Sequence, residues 1–297
     1  MGTPLRRALA ARGVPVRCLV RDPRRLGADR VRVQITLGDL ADPASFRHAL
    51  RGVATVVHLA AAERDAPGAT IEEVCGIATW RLLRAAERAG IGHFVFLSPL
   101  GATPHHRSRL HRAKALAEQA VAAADLPTTT VRCSLIYARG DRTLTLLDRL
   151  SLLPAVPVTR RMGRARTQPV YAGDVAQAVD ALLAGAPPDG HRTLELAGPQ
   201  TLTNREAVAA YLQLRGRPRP QLVLPSRLIV ALLHAYEAAT GPIAVTTRDE
   251  ADLLGATMLA TRGTADAEAL GVRPRTLSEA LTQGPTTPGP PPAAWRR

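Results

Sequence analysis

Of the 39 lysine and arginine residues in this chain of 297, one is lysine, Lys114, and the other 38 are arginine. Arginine serves wherever a generic positive charge suffices, so the single lysine marks a place where a compact ammonium fits and a planar guanidinium does not. Lys114 is therefore the first candidate for site chemistry. The histidines offer less. His105 and His106 stand side by side in a loop, a poor spacing for one metal ion. No cysteine or carboxylate accompanies them at ligand distance in sequence, so no metal ligand is assigned. His111, on a polar helix face, is expected to be solvated. No GxSxG elbow and no P-loop occurs. Cys18, Cys75 and Cys133 are odd in number and sit in apolar stretches, which suggests buried thiols of a cytoplasmic protein rather than a disulfide framework.

The bulk composition narrows the class. A formal charge of +14 attracts phosphates, but the arginines are spread along the chain and aromatics make up 3%. With no zinc-finger, RNP or homeodomain pattern, a solvated basic surface is expected and nucleic acid is not an expected partner. No apolar run reaches the roughly 18–20 residues that span a bilayer. The start, MGTPLRRALAARG, carries no signal-peptide pattern.

The elements that must position Lys114 follow from local pattern. A helix over 3–12 closes at Gly13, and strands are expected at 14–20 and within 30–39. A helix over 43–52 closes at Gly52, followed by a strand at 55–61, a helix at 71–90 and a strand at 93–98. The helix carrying Lys114 covers 109–124, and TTTVRCSLIY (128–137) is a strand. Strands spaced by helices imply βαβ units, right-handed crossovers and a doubly wound, mostly parallel sheet. Beyond Tyr137 the pattern loosens. A strand at 167–171 leads to a helix from Asp174, a suitable N-cap, through Leu183, and a strand follows at 192–198. Thr203 and Glu206 form a capping box, 226–240 suggests another helix, and the proline-rich tail from 283 is expected to be disordered.

In order along the chain, the segments ARGVPVRCLVRDP, LGDLADPASF, TVVHLAA, HFVFLSPLGA, RAKALAE, TTTVRCSLIY, QPVYAGDVAQAV and LELAGPQTLTNREAV resemble the extended or atypical short-chain dehydrogenase/reductase superfamily. Within it, the chain looks like the NmrA-like group and bacterial relatives of the NDUFA-nine type accessory subunit of respiratory complex I. The resemblance implies an NAD(P)-binding Rossmann domain over 1–150 and a remainder over 151–282 with a small C-terminal substrate lobe. It also implies site roles. Asp39 and Leu40 match positions that line the adenine pocket. Arg21 closes the second family strand, where an arginine favours the 2′-phosphate of NADP over NAD; with Asp22 it leans toward NADP. Ala60, Ala61 and Ala62 follow a strand end where small residues let backbone approach the cofactor. Lys114 matches the lysine that holds the nicotinamide ribose, and Ser98 lies near the catalytic serine.

Two departures stand out. The family begins with a strand and a GxxGxxG loop that cradles the pyrophosphate at a helix N-terminus. Here Gly2 matches only the last glycine, so the first strand is expected to be absent and the true start to lie upstream. The family's tyrosine, four residues before the lysine, is replaced by Leu110, which transfers no proton. Pro99 and Leu100 also interrupt the serine-rich stretch. The expected function is a protein that binds NADP or NAD without the standard chemistry, as a sensor, accessory or assembly factor, with a small-molecule or protein partner. The alternatives are an oxidoreductase or nucleotide-sugar epimerase with a non-standard acid, and a basic nucleic-acid-associated protein.

Overall fold

The computed structural model describes residues 1–66, 69–225, 227–229, 231–232, 235 and 248–282. The expected tail lies outside these residues, as does part of the helix expected at 226–240. Helix α1 (Gly2–Ala11) buries Leu5, Ala8 and Leu9, which recur at helical spacing. Gly13 then adopts φ +70°, a left-handed geometry that favours glycine, and the chain turns into β1 (Arg17–Val20). The stretch read as a strand within 30–39 divides. Residues 23–32 form 3-10 turns capped by Asp22, and only β2 (Gln34–Leu37) is extended.

The elements around Lys114 come next. They are α2 (Pro43–Phe46), β3 (Thr55–His58), α3 (Ala78–Arg88), β4 (His93–Pro99), α4 (Arg109–Ala122) and β5 (Thr128–Cys133). A π-helical turn at Glu73–Ile77 leads into α3. Further along lie β6 (Ile136–Tyr137), α5 (Arg142–Leu150), β7 (Val156–Val158), β8 (Arg166–Thr167), β9 (Val170–Tyr171) and α6 (Ala172–Ala184). Then come β10 (His191–Leu196), β11 (Leu202–Thr203), α7 (Asn204–Leu214) and β12 (Gln221–Val223). The capping box at α7 forms as read: the Thr203 hydroxyl accepts from the Glu206 amide, and the Glu206 carboxylate accepts from the Thr203 amide. Asp174 does not cap α6. Tyr171 is the N-cap residue, and Asp174 lies within the first turn, where its carboxylate is committed to Arg275.

The main sheet is parallel, in the order β10-β5-β4-β3. Its centre, β4, is buried on both faces, as the continuous run HFVFLS requires. Alternation along β4 sorts the two layers. Val95 and Leu97 face Leu5 and Leu9 of α1 and Val175, Val179 and Leu182 of α6. Phe94 and Phe96 face Leu82, Leu83 and Ala86 of α3 and Ala117 and Val121 of α4. Helices therefore cover both sides, and the doubly wound α/β reading holds. A further apolar cluster joins Leu144, Val156, Val158, Met162, Tyr211 and Leu212.

One topological expectation needs correction. The sequence pattern puts the strands at 14–20 and 55–61 in one mostly parallel sheet that lacks its first strand. In the structure β1 pairs with β2 alone, and β3 belongs to the other sheet. Ladder bonds need strands about 4.8 Å apart, and among the described residues no strand is interposed. Side-chain packing joins the two sheets instead: Met1, Val14, Val16, Val57 and Leu59 all pack on the α1–α6 core.

Candidate functional site

The residues singled out from the sequence lie at the carboxyl ends of the parallel strands or beside them, where open α/β sheets bind ligands. The ends of β1 and β2 come first. Because Val20 pairs with Leu37, Arg21 and Asp39 emerge side by side, and Arg21 Nη1 stands 3.8 Å from Asp39 Oδ2 with both side chains exposed. Asp22 turns away: its Oδ1 accepts from the Arg24 amide at 2.9 Å. Asp39 Oδ1 likewise accepts from the Ala41 amide, which orients it but leaves Oδ2 toward Arg21. Leu40 packs against the cluster of Phe46 and Leu50 and stays partly exposed.

At the middle of the edge, α1 begins with no side-chain cap, so the amides of its first turn are open to an anion. A Cβ built on Gly2 would stand 4.0 Å from Leu59, so α1 starts against the end of β3. Ala60, Ala61 and Ala62 continue from that end. Their path is held by Cys75, which sequence reasoning passed over: the Ala62 amide donates to Cys75 Sγ at 3.2 Å. A buried thiol carries no spacing signal that could have identified it.

Lys114 sits deeper than its assigned role suggests. It is 2% exposed, and its Nζ donates to the Leu97 carbonyl at 2.9 Å and the Ala60 carbonyl at 3.3 Å. The Phe96 ring lies 4.4 Å below it. Two of its three N–H groups are used, leaving one for a ligand. Burial pushes its pKa down to about 8, opposed by the neighbouring Cys75, Glu118 and Cys133. The structure thus brings Lys114 together with Ala60 and with the residue before Ser98. It does not bond Lys114 to Ser98, whose Oγ is buried without a partner among the described residues.

Leu110, one turn before Lys114, is buried with Ile71, Cys75 and Ala113 in an apolar cluster. The expectation of a solvated His111 is corrected. It is fully buried and stacked on His106, with ring centroids 4.0 Å apart, and neither ring nitrogen has a hydrogen-bond partner. Burial, with a smaller contribution from His106, pushes its pKa down to about 3, so it is neutral at physiological pH. Helical spacing puts His111 on the Lys114 side of α4, but periodicity alone could not tell that packing covers it.

Arg109 was also missed. Its guanidinium donates to Asp65 at 2.8 Å and to Glu72 at 2.6 Å, and it lies 3.4 Å from Asp249. It clamps the loop after Ala62 against the start of α4. These hydrogen bonds hold Asp65 and Glu72 below the usual carboxylate range. The clamp is therefore intact at neutral pH and is lost only as pH falls through those lowered values. Arg109→Ala should raise amide hydrogen exchange in residues 62–72 while leaving the unfolding midpoint nearly unchanged. Unaltered exchange there would count against the clamp.

Beyond the parallel sheet, a cavity of about 60 Å³ is lined by apolar groups, among them Leu144, Met162, Val208 and Leu277, with Asn204 as one of few polar residues. The residues present fit a dinucleotide: an uncapped helix N-terminus for phosphates, small residues at the strand end, and an exposed guanidinium beyond β1.

Comparison with known proteins bears on the same region. A family model described as NAD(P)H-binding matches residues 1–161. Sterol demethylase protein B of Methylococcus capsulatus is 32% identical over 257 residues, covering 78% of this chain and 77% of that protein. NADH dehydrogenase (ubiquinone) 1 alpha subcomplex subunit 9, mitochondrial, of Arabidopsis thaliana is 32% identical over 187 residues, covering 61% of this chain. The chain spans 46% of that subunit's length. A nucleoside-diphosphate-sugar epimerase from Staphylococcus aureus has the same fold, with a TM-score of 0.74 at 19% identity over 95% of this chain and 96% of that one.

Proposed function

Because this chain belongs to the NAD(P)H-binding family, we propose that it holds NADP(H) as a sensor or accessory protein, without tyrosine-dependent proton transfer. The observation that carries this reading is Leu110. The position one turn before Lys114 is filled by an apolar side chain packed among Ile71, Cys75 and Ala113. No proton can be held or moved there, and acid–base catalysis by such a group contributes roughly 10²–10⁴-fold.

The first turn of α1, from Gly2, would receive the pyrophosphate, and Asp39 and Leu40 the adenine. Ala60, Ala61 and Ala62 would give backbone room beside it, and the third N–H of Lys114 would serve the ribose hydroxyls. Arg21 would take the 2′-phosphate, its exposed guanidinium shared with Asp39 at 3.8 Å. When bound, the reduced cofactor supplies a hydride. The resemblance to a named subunit of a larger complex supports the accessory role.

A second reading, an oxidoreductase or epimerase with a non-standard acid, has one observation in its favour. Ser98 Oγ and both His111 nitrogens are buried without partners on the Lys114 side of β4 and α4. NADPH oxidation against small ketones and quinones separates the two. Robust turnover that His111→Phe abolishes would favour the enzyme.

Calorimetry tests the cofactor assignment. NADPH should bind more tightly than NADH, and Arg21→Glu should reverse the preference by about tenfold or more, the scale of a charge-assisted hydrogen bond. Equal affinities in both proteins would remove Arg21 from the site.

A further inference from the structure

The cavity of about 60 Å³ lies among α5, α7 and the short strand β6, and most of its wall is hydrocarbon. Leu144 and Leu147 line it from α5, Val208 from α7, and Met162 and Leu277 from segments between and beyond them. These side chains belong to one apolar cluster. Close-packed interiors leave few voids of this size, so an apolar one with a polar group on its wall points to an occupant.

All but one of the polar side chains on that wall are satisfied elsewhere. The Tyr137 hydroxyl donates to the Thr276 carbonyl at 3.4 Å, and the Tyr211 hydroxyl to Asp148 Oδ1 at 2.8 Å. Asp141 caps α5: its Oδ1 accepts from the Leu144 amide at 2.6 Å and its Oδ2 from the Ala138 amide at 2.7 Å. Thr143 is exposed, so solvent meets its hydroxyl.

Asn204 differs from these. It is 5% exposed, its Nδ2 donates to the Leu254 carbonyl, and its Oδ1 is buried with no hydrogen-bond partner among the described residues. Turning the amide over gives no relief, because the Leu254 carbonyl needs a donor opposite it. The backbone is fixed as well. The Thr203–Glu206 box starts α7, and the Asn204 amide donates to the Ala165 carbonyl at 3.1 Å.

A buried acceptor left unmet is costly, so a donor from outside the described residues is favoured there. Water fits poorly: a buried water makes about three hydrogen bonds, and the side chains of this wall offer one unmet acceptor. An apolar cavity of about 150 Å³ takes a benzene-sized ligand, so this smaller one has room for a few heavy atoms. A charged ligand is disfavoured, since the one carboxylate on the wall, Asp141, is already committed to two amides.

We propose that this cavity binds a small neutral aliphatic alcohol of about two or three carbons. Its hydroxyl donates to Asn204 Oδ1, and its carbons fill the space among Leu144, Val208 and Leu277. Nothing in this depends on the dinucleotide assignment.

Methyl NMR of the full chain, labelled on leucine and valine, tests it with n-propanol and with the isomeric ether methoxyethane, which has no donor. The Leu144, Val208 and Leu277 methyls should shift saturably with n-propanol, below the concentrations that unfold the protein. The ether should bind about three- to tenfold more weakly, the scale of one hydrogen bond. Asn204→Leu should erase that preference, and Val208→Phe, which fills the cavity, should abolish saturable shifts with both compounds. Where a variant fails to fold, the wild-type comparison of alcohol with ether decides alone. No saturable shift at those methyls, equal affinity for the two isomers, or variants that bind as wild type would overturn the proposal. So would an ordered water on Asn204 that the alcohol does not displace.

Discussion

Asp174→Ala should destabilise the fold by about 3–5 kcal/mol, the range for breaking a buried ion pair by removing one partner. The Asp174 side chain is 3% exposed and accepts three hydrogen bonds from Arg275: from Nε at 2.8 Å and Nη2 at 2.6 Å on Oδ1, and from the backbone amide at 2.8 Å on Oδ2. The guanidinium also lies 4.6 Å from the centre of the Tyr171 ring. Without the carboxylate, a largely buried cation loses its counter-charge, and that cost exceeds the value of the contacts themselves. Urea or thermal unfolding measures it, with a fall in Tm of roughly 5–8 °C for a chain this size. Arg84→Ala is the control. Its pair with Glu87 is more exposed on the arginine side, and its loss should cost about 1 kcal/mol or less. A loss below about 1 kcal/mol for Asp174→Ala as well would mean that the pair contributes no more than a surface contact.

Lys114→Met should change stability in a pH-dependent way. The folded-state pKa of Lys114 is pushed down to about 8, chiefly by burial, from 10.5. Below pH 8 both folded and unfolded chains carry the proton, and the folded state bears the full penalty of a buried ammonium. Between about 8 and 10.5 the unfolded chain binds more protons than the folded one, so this group's contribution to stability rises with pH. Above that window it levels off. At about 1.4 kcal/mol per pH unit, wild type should gain about 3 kcal/mol on the variant between pH 7 and pH 11. The difference between the two proteins isolates this group from the tyrosines and cysteines that titrate in the same range. Methionine also forfeits the bonds to the Leu97 and Ala60 carbonyls, about 1–3 kcal/mol that does not vary with pH. Dinucleotide affinity should fall tenfold or more in the same variant, because one N–H of a charged group is lost. Parallel stability curves across the range would show that Lys114 keeps its ordinary pKa in the fold.

Much of this protein was legible from local pattern. Period-two alternation in HFVFLS separates Phe94 and Phe96 from Val95 and Leu97 before any partner helix is known. The structure then puts α3 and α4 on one side and α1 and α6 on the other. Gly13 closes its helix as read, and the Thr203–Glu206 box needs only residues three apart. Lys114 could be singled out because composition made it unique. These features rest on interactions within a turn or along a strand, so spacing records them.

The tertiary structure decided what lies across the chain. Arg109 meets Asp65 and Glu72 from 44 and 37 residues away, and Arg275 meets Asp174 over 101. Asp174 resembles an N-cap in sequence, and only the approach of Arg275 gives it another partner. His111 looks solvated because arginines stand near it at 109 and 112, yet in the fold it is buried and stacked on His106. Lys114 was identified by type, but that its amine meets two backbone carbonyls depends on where β3 and β4 end. The division between two sheets has the same origin: strand propensity is local, whereas a ladder needs a second strand within about 4.8 Å. Periodicity specifies which face of an element is buried, and packing alone selects the distant group that meets it.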